Sequence, residues 1–329
     1  MRKPLIAGGT FLALFAFTPP VWAHHGVAGV GAAALNGPGA PIEAASSATL
    51  PEGKTLALLK IDDAQYKTYD WAAPNARYSR FWMVGAGVGV TPWFSAYIFA
   101  PYHDKVDEAG GFTTRGWADV SVMGQLGFKY DNGFRLIPAN ESLDDLEDWH
   151  FSLLAGASLP TGEPNRRDRN GDIDPSKSTG FGKPSFNFGL TASKMLTERL
   201  TFNLEASTIR FQEYRYTDGN RLRFGAENRL NAAFAWRGYT NADLKFRLDP
   251  VFELQYLDIA RDRGNGVGEP ASGGRMVYGL LGLRAFWQNM SFAAGLKKPV
   301  WTRLNESAQQ QGSEGKEKYR FIFSASALF

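Results

Sequence analysis

Lys318-Tyr-Arg-Phe-Ile-Phe-Ser-Ala-Ser-Ala-Leu-Phe329 alternates. Tyr319, Phe321, Phe323, Ala325, Ala327 and Phe329 fall on one side of an extended chain, and Arg320, Ser324 and Ser326 fall on the other, because successive side chains of a β-strand point to opposite faces. Residues 243-260 repeat the pattern with charge. Leu244, Phe246, Leu248, Phe252, Leu254 and Tyr256 alternate there with Lys245, Arg247, Asp249, Glu253 and Gln255. A Lys or Arg facing lipid near mid-membrane costs about 2–4 kcal/mol, so the charged row is expected to face an enclosed lumen and the apolar row to face lipid. The same phase in 221-237 puts Leu222, Phe224, Leu230, Phe234 and Trp236 outside, with Arg221, Arg223, Glu227, Arg229 and Asn231 inside. Asn203, Glu205 and Ser207, with Arg284 and Lys297, join the inward set.

Alternating runs bounded by turn residues recur at 54-68, 78-90, 94-106, 116-130, 149-159, 184-195, 200-214, 221-237, 243-260, 275-287, 290-301 and 318-329. Twelve strands, an even number, predict an all-β fold: a transmembrane antiparallel β-barrel over 54-329. The connections support this independently. Short ones (91-93, 196-199, 238-242, 288-289) alternate along the chain with longer ones (69-77, 107-115, 160-183, 215-220, 261-274, 302-317), as periplasmic turns and extracellular loops would. Segment 131-148 falls on the turn side yet is long, and its acidic run Glu141 to Asp148 reads as a short helix.

Both ends of the chain fit that class. Arg2 and Lys3, an apolar stretch from Leu5 to Phe17, and Val21-Trp22-Ala23 read as a secretory signal over 1-23. A strand with an aromatic last residue resembles the insertion signal of Gram-negative outer-membrane barrels, so the expected location is the outer membrane. The expected partners are outer-membrane lipid and lipopolysaccharide, the barrel assembly machinery, and a small-molecule solute. The chain has no Cys, which removes disulfides and thiolate chemistry. Subtracting Arg2 and Lys3 from 36 basic residues leaves 34 against 33 acidic ones, and a balance of +1 gives no case for nucleic acid. Residues 24-53, rich in Ala, Gly and Ser, do not read as a strand. They are expected either to thread the lumen as a plug or to hang as a periplasmic tail.

A family resemblance rests on several short motifs. Gly89-Val-Thr-Pro-Trp93 runs into a strand ending Ala100-Pro101-Tyr102, followed by Gly116-Trp-Ala-Asp119-Val, Leu159-Pro-Thr-Gly162-Glu and Gly180-Phe-Gly182-Lys-Pro-Ser. This order resembles the outer-membrane transporter family named for the meta-pathway of phenol degradation. The resemblance implies a barrel that passes small aromatic or hydrophobic compounds, and it brings no residue of known role.

Three constellations raise other chemistries. Asp168, Asn170, Asp172 and Asp174 place oxygen ligands at every second position, as a Ca²⁺ loop does. The glycine and bidentate Glu of an EF-hand are missing there, with Ile173 and Thr179 in their places. His24-His25 behind a cleaved terminus is a minimal Cu(II) ligand set. His150 and Ser152 share a strand face, as a base and nucleophile would, which raises a lipid hydrolase as a remote alternative. Apolar Trp149, Phe151 and Leu153 take the lipid face, however, so the pair points away from lipid substrate. His103 reads as a rim residue. The expected function is therefore non-enzymatic and cofactor-free, Ca²⁺ apart: passive diffusion of small solutes along Glu205, Arg223, Glu227, Arg229, Lys245, Arg247, Asp249 and Glu253. The rival is a structural or partner-binding barrel closed by 24-53.

Overall fold

The computed structural model describes residues 39–67, 76–107, 113–139, 146–168, 170–306, 310 and 314–329. The signal segment 1-23, His24-His25 and acidic residues 141–145 lie outside the described residues.

Twelve strands form the wall. They are β1 (Thr55–Tyr66), β2 (Ala76–Thr91), β3 (Phe94–Asp107), β4 in two pieces (Thr113–Trp117 and Val120–Tyr130), β5 (Trp149–Leu159) and β6 (Ser185–Thr197). Then come β7 (Leu200–Arg210), β8 (Glu227–Trp236), β9 (Phe246–Ile259), β10 (Gly274–Trp287), β11 (Met290–Leu304) and β12 (Glu317–Leu328). Each pairs antiparallel with its neighbours in sequence, and β12 returns to β1 with Leu56 opposite Leu328 and Asp62 opposite Ile322. Closure leaves no unpaired edge, which a strand wall in hydrocarbon requires. The opening stretch behaves as its alternation predicts: Arg320, Ser324 and Ser326 are buried, and Phe321 is exposed. Leu153, Phe188, Leu190, Leu230, Leu254 and Leu281 are likewise exposed on the outer surface, forming the apolar band that a lipid-facing barrel presents.

Two strands start later than their alternation suggests. Residues Arg221–Arg223 are not the start of β8. They belong to a separate four-stranded sheet with Tyr214–Arg215, Arg263–Gly264 and Val267–Gly268 on the long-loop side. The chain turns between the two at Gly225, where a Cβ would sit 1.8 Å from the Ala260 carbonyl oxygen and the N–H donates to Asp262 Oδ1 at 2.7 Å. Leu222 and Phe224, expected to face lipid, instead pack with Ile209, Phe211 and Tyr216 in an apolar cluster above the ring. At the other end Lys245 takes φ 48° in the turn before β9.

Three of the motifs that carry the family resemblance, 116-120, 159-163 and 180-185, meet at one junction. Asp119 sits where β4 is interrupted, and its carboxylate accepts the N–H groups of Gly162 and Phe181, both at 2.8 Å. Thr161 Oγ1 accepts from Val120 N at 2.9 Å. A Cβ on Gly180 would lie 2.6 Å from Asp119 Oδ1, so only glycine lets the two ends of the long loop 160-183 close on this carboxylate. Burial raises the Asp119 pKa, while the backbone donors pull it down.

Candidate functional site

The lumen contains Gly39–Leu50. All of these residues are buried except Glu43, which is half-buried. The segment is irregular, bending at 42–44 and 47, and has no strand partner, so its N–H groups need acceptors, and the inward row of the wall supplies them. Gly39 N donates to Asp249 Oδ2 at 3.2 Å. Glu253 takes three, from Ile42, Glu43 (2.9 Å) and Ala44 (3.0 Å). Ala45 N reaches Glu205 Oε2 at 2.8 Å, Ser47 N reaches Ser193 Oγ at 3.0 Å, and Leu50 N reaches Ser95 Oγ at 2.9 Å. In the other direction Asn203 donates to the Gly39 carbonyl at 3.0 Å, Gln125 to the Ser46 carbonyl at 3.0 Å, and Arg284 to the Pro41 carbonyl.

Apolar contacts fix the register of this segment. Ile42 packs among Ala235, Val251, Leu280, Ala293 and Ile322. Gly282 makes room for it, since a Cβ there would lie 2.4 Å from Ile42 Cδ1. Ala45 and Leu50 join a second cluster with Leu58, Phe81, Tyr97 and Phe99. Burying one such aliphatic side chain contributes roughly 1.5–3 kcal/mol.

Beyond Glu43 the lumen is filled by charge. Lys297 Nζ pairs with Glu43 Oε2 at 2.7 Å and lies 4.5 Å from the Tyr278 ring centroid. Arg320 is the hub: it reaches Asp62 at 3.4 Å, Glu317 at 2.6 Å and Glu314 at 3.0 Å. Glu314 comes from the segment between β11 and β12, which folds inward and also accepts from the Tyr278 hydroxyl at 3.0 Å. Burial alone would raise the Glu314 carboxyl, but Arg320, Lys297 and Arg229 bring it down to about 2. The space left between Glu43, Lys60, Glu205, Arg229, Lys297 and Arg320 is about 30 Å³, room for a water or two.

The eight residues expected along the path divide. Glu205, Glu227, Asp249 and Glu253 are buried on the inward row. Arg229 pairs with Glu227, and Arg247 pairs with Asp249 at 2.7 Å. Arg223 and Lys245 do not line the lumen. Arg223 is exposed in the outer sheet, and Lys245 is exposed in a turn. Strand alternation carries no marker of where the chain leaves the membrane, and both residues lie past that point. Lys60, Asp62, Glu314 and Glu317 were not anticipated. The signal for two of them was available: Lys60 and Asp62 sit two apart in β1 and alternate with Leu59 and Ile61, so the same cost rule turns them inward.

The other constellations do not assemble. Asp168 Oδ1 accepts from the N–H groups of Asn170 and Asp172 at 2.8 and 3.0 Å, and Asp174 caps the short helix Pro175–Lys177 through Ser176 N and Oγ. Among the described residues no three of His, Asp or Glu are grouped to hold a metal ion. Ser152 is fully buried and shares its hydroxyl with Thr191 (2.6 Å) and Gln125 (3.1 Å), while His150 Nδ1 meets the Asp148 carbonyl. Ser152 is thus engaged by Thr191 and Gln125 and is not exposed to lipid. His103 is buried against Phe81, with ring centroids 5.2 Å apart, instead of lying at the rim.

No family model and no curated protein sequence matches the chain. Among solved structures it is similar to an outer membrane channel from Pseudomonas putida F1. That match has a TM-score of 0.67 and 11% identity, and covers 88% of this chain and 100% of that one. The fold is that of an outer-membrane β-barrel. Looser likenesses are to the β domain of the Bordetella autotransporter BrkA (TM-score 0.47, 12% identity, 84% and 100% covered) and the monoaromatic hydrocarbon channel TodX (0.43, 11%, 88% and 94%). In this barrel the apolar belt faces outward and the polar rows face a lumen that Gly39–Leu50 and the Arg320 network share.

Proposed function

We propose that the chain is an outer-membrane channel for passive diffusion of small solutes, closed in this conformation by Gly39–Leu50 and opened when that segment leaves its seat. The observation that carries this reading is the chemistry of the seat. Besides the apolar contacts of Ile42 and Leu50 and the Glu43–Lys297 pair, the segment is held by hydrogen bonds from its backbone to Asp249, Glu253, Glu205, Ser193 and Ser95, groups that water satisfies equally well once the segment is gone. A wall built only to be filled would bury apolar side chains there at less cost. Glu205, Glu227, Arg229, Arg247, Asp249 and Glu253 would then line the route, with Lys60, Lys297 and Arg320 beside it.

The finer reading concerns the solute. The motifs around Asp119 resemble a transporter family associated with aromatic compounds, and the lumen mixes basic groups with the rings of Tyr66 and Tyr278, both buried. Small aromatic acids suit that mixture: a cation attracts the carboxylate, and the narrow bore excludes bulk. Replacing Arg229 and Arg247 by Ala should lower aromatic-acid flux through an unplugged barrel; unchanged flux would remove both from the route.

One observation favours a second reading, a structural barrel that stays shut: the space left beside Glu43, between Lys60, Arg229 and Arg320, is only about 30 Å³. Planar-bilayer recordings separate the two. The mature chain should be silent or flicker, and the chain lacking 24–50 should conduct steadily. Silence in both would leave the structural reading standing.

A further inference from the structure

The long-loop side carries a second concavity, whose lining shares no residue with the space beside Glu43. A cleft of about 620 Å³ opens where the upper ends of β7, β8 and β9 meet the four-stranded outer sheet, and Arg210, Arg223, Arg261 and Arg263 line it. Arg210 and Asn228 lie on the outward phase, since their neighbours Ile209 and Glu227 are buried inside. Leu230, on the same phase as Asn228 and two residues further into β8, is exposed in the apolar belt. At strand rise that is about 7 Å, so Asn228 and the Arg210 side chain bonded to it sit just above the apolar belt, with Arg223, Arg261 and Arg263 beyond them on the long-loop side.

Their arrangement is costly as it stands. Arg223 and Arg263 are directly opposite each other across an antiparallel pair, a placement that destabilises when the charges are alike. Arg210 spends a hydrogen bond on the neutral amide oxygen of Asn228 at 3.2 Å. Among the described residues no carboxylate pairs with Arg223, Arg261 or Arg263, whereas Arg221, two residues before Arg223, has Glu213 at 3.6 Å. Asp262 lies between two of the arginines in sequence, but it is fully buried and turned to the Gly225 N–H. Glu269, against Gly264, offsets part of the charge. The floor is apolar and rigid: Phe211 and Phe224 pack edge-on, 5.9 Å apart.

We propose that this cleft binds the phosphate groups of an outer-leaflet glycolipid. Guanidinium forks match phosphate oxygens two at a time, and a bound dianion converts the Arg223–Arg263 repulsion into a bridge. The volume suits a phosphorylated sugar head group, and the exposed belt below it suits the attached acyl chains.

The test uses the full mature protein in detergent micelles with three probes: an acylated glucosamine disaccharide carrying two phosphates, the same lipid without phosphates, and inorganic phosphate. The phosphorylated lipid should bind and raise the apparent unfolding temperature. The R223A/R263A double variant should weaken that binding at least tenfold, and R223K/R263K should fall between, since it keeps charge and loses the fork. Arg221→Ala, outside the cleft, should stay within twofold, which separates loss of charge from loss of fold. Equal binding by R223A/R263A and the unaltered protein, or by the lipid without phosphates, would overturn the proposal. Micromolar saturation by inorganic phosphate alone would also overturn it, by assigning the cleft to a free phosphate-bearing solute.

Discussion

The two halves of the lumen bury carboxylates in different company. In the half that holds Gly39–Leu50, Glu253 and Glu205 are met by peptide N–H groups of that segment. In the other half, Asp62, Glu314 and Glu317 are met by the side chain of Arg320, which belongs to the wall itself. Both arrangements satisfy buried acceptors, which is what a low-dielectric interior demands. They differ in what can leave. Backbone donors can be exchanged for water, and departure of the segment breaks one ion pair, Glu43 with Lys297, whereas removing Arg320 strands three carboxylates. The first half therefore has the chemistry of a gate, and the second that of a fixed electrostatic lining.

Breaking the fixed half should have the largest effect. Arg320→Ala leaves Asp62, Glu314 and Glu317 without their common partner, and loss of one member of a buried ion pair costs about 3–5 kcal/mol. The temperature at which the folded barrel converts to unfolded chain on unheated gels should drop sharply; an unchanged temperature would show that the network is ornamental. Acid reaches the same network more gently. Because Glu314 is lowered from 4.5 to about 2, its contribution is complete above the unfolded value and is lost as pH falls from 4.5 through 2. Detachment of the segment around Glu314, followed by protease cleavage there, should be absent at neutral pH, set in as pH falls below about 4.5 and be complete near 2.

Breaking the gate should cost less and leave the wall standing. Glu253→Ala removes the acceptor for three N–H groups, and water entering the vacated space accepts from them in its place, so the net cost stays below that of a stranded buried charge. The chain has no cysteine, so Ala44→Cys reports the seat without background. A membrane-impermeant maleimide should label it quickly with Glu253→Ala and slowly without. Equal rates would mean that Ile42, not Glu253, holds the segment. Ile42→Val, which trims one methylene from the cluster with Leu280 and Ile322, should loosen the seat by about 0.5–1.5 kcal/mol. Lys245→Ala, in an exposed turn, should change neither stability nor labelling by more than about 0.5 kcal/mol.

Much of the barrel was legible because membrane burial penalises charge on one face only. That single cost turns Asp249 and Glu253 inward and Phe252 and Leu254 outward, and it does so strand by strand from alternation. The rule fails where the chain leaves lipid. Arg223 continues the alternation of β8 in sequence, but beyond Gly225 there is no hydrocarbon to enforce the phase, and a local cluster of Leu222, Phe224 and Tyr216 decides facing instead. His103 shows the opposite miss: a polar residue near a strand end that the wall buries against Phe81.

Period-two alternation and turn residues were enough to determine the number of strands, their order around the ring and which rows face lipid, because each depends only on neighbours within one strand or hairpin. What fills the ring depended on contacts between residues some 145 to 255 positions apart, such as Ser47 with Ser193, Ala44 with Glu253 and Glu43 with Lys297. A segment without periodicity records no partner in its own sequence. Only the closed wall, by lining up Asp249, Glu253, Glu205, Ser193 and Ser95 along one path, creates the row of acceptors that makes Gly39–Leu50 a guest of the lumen.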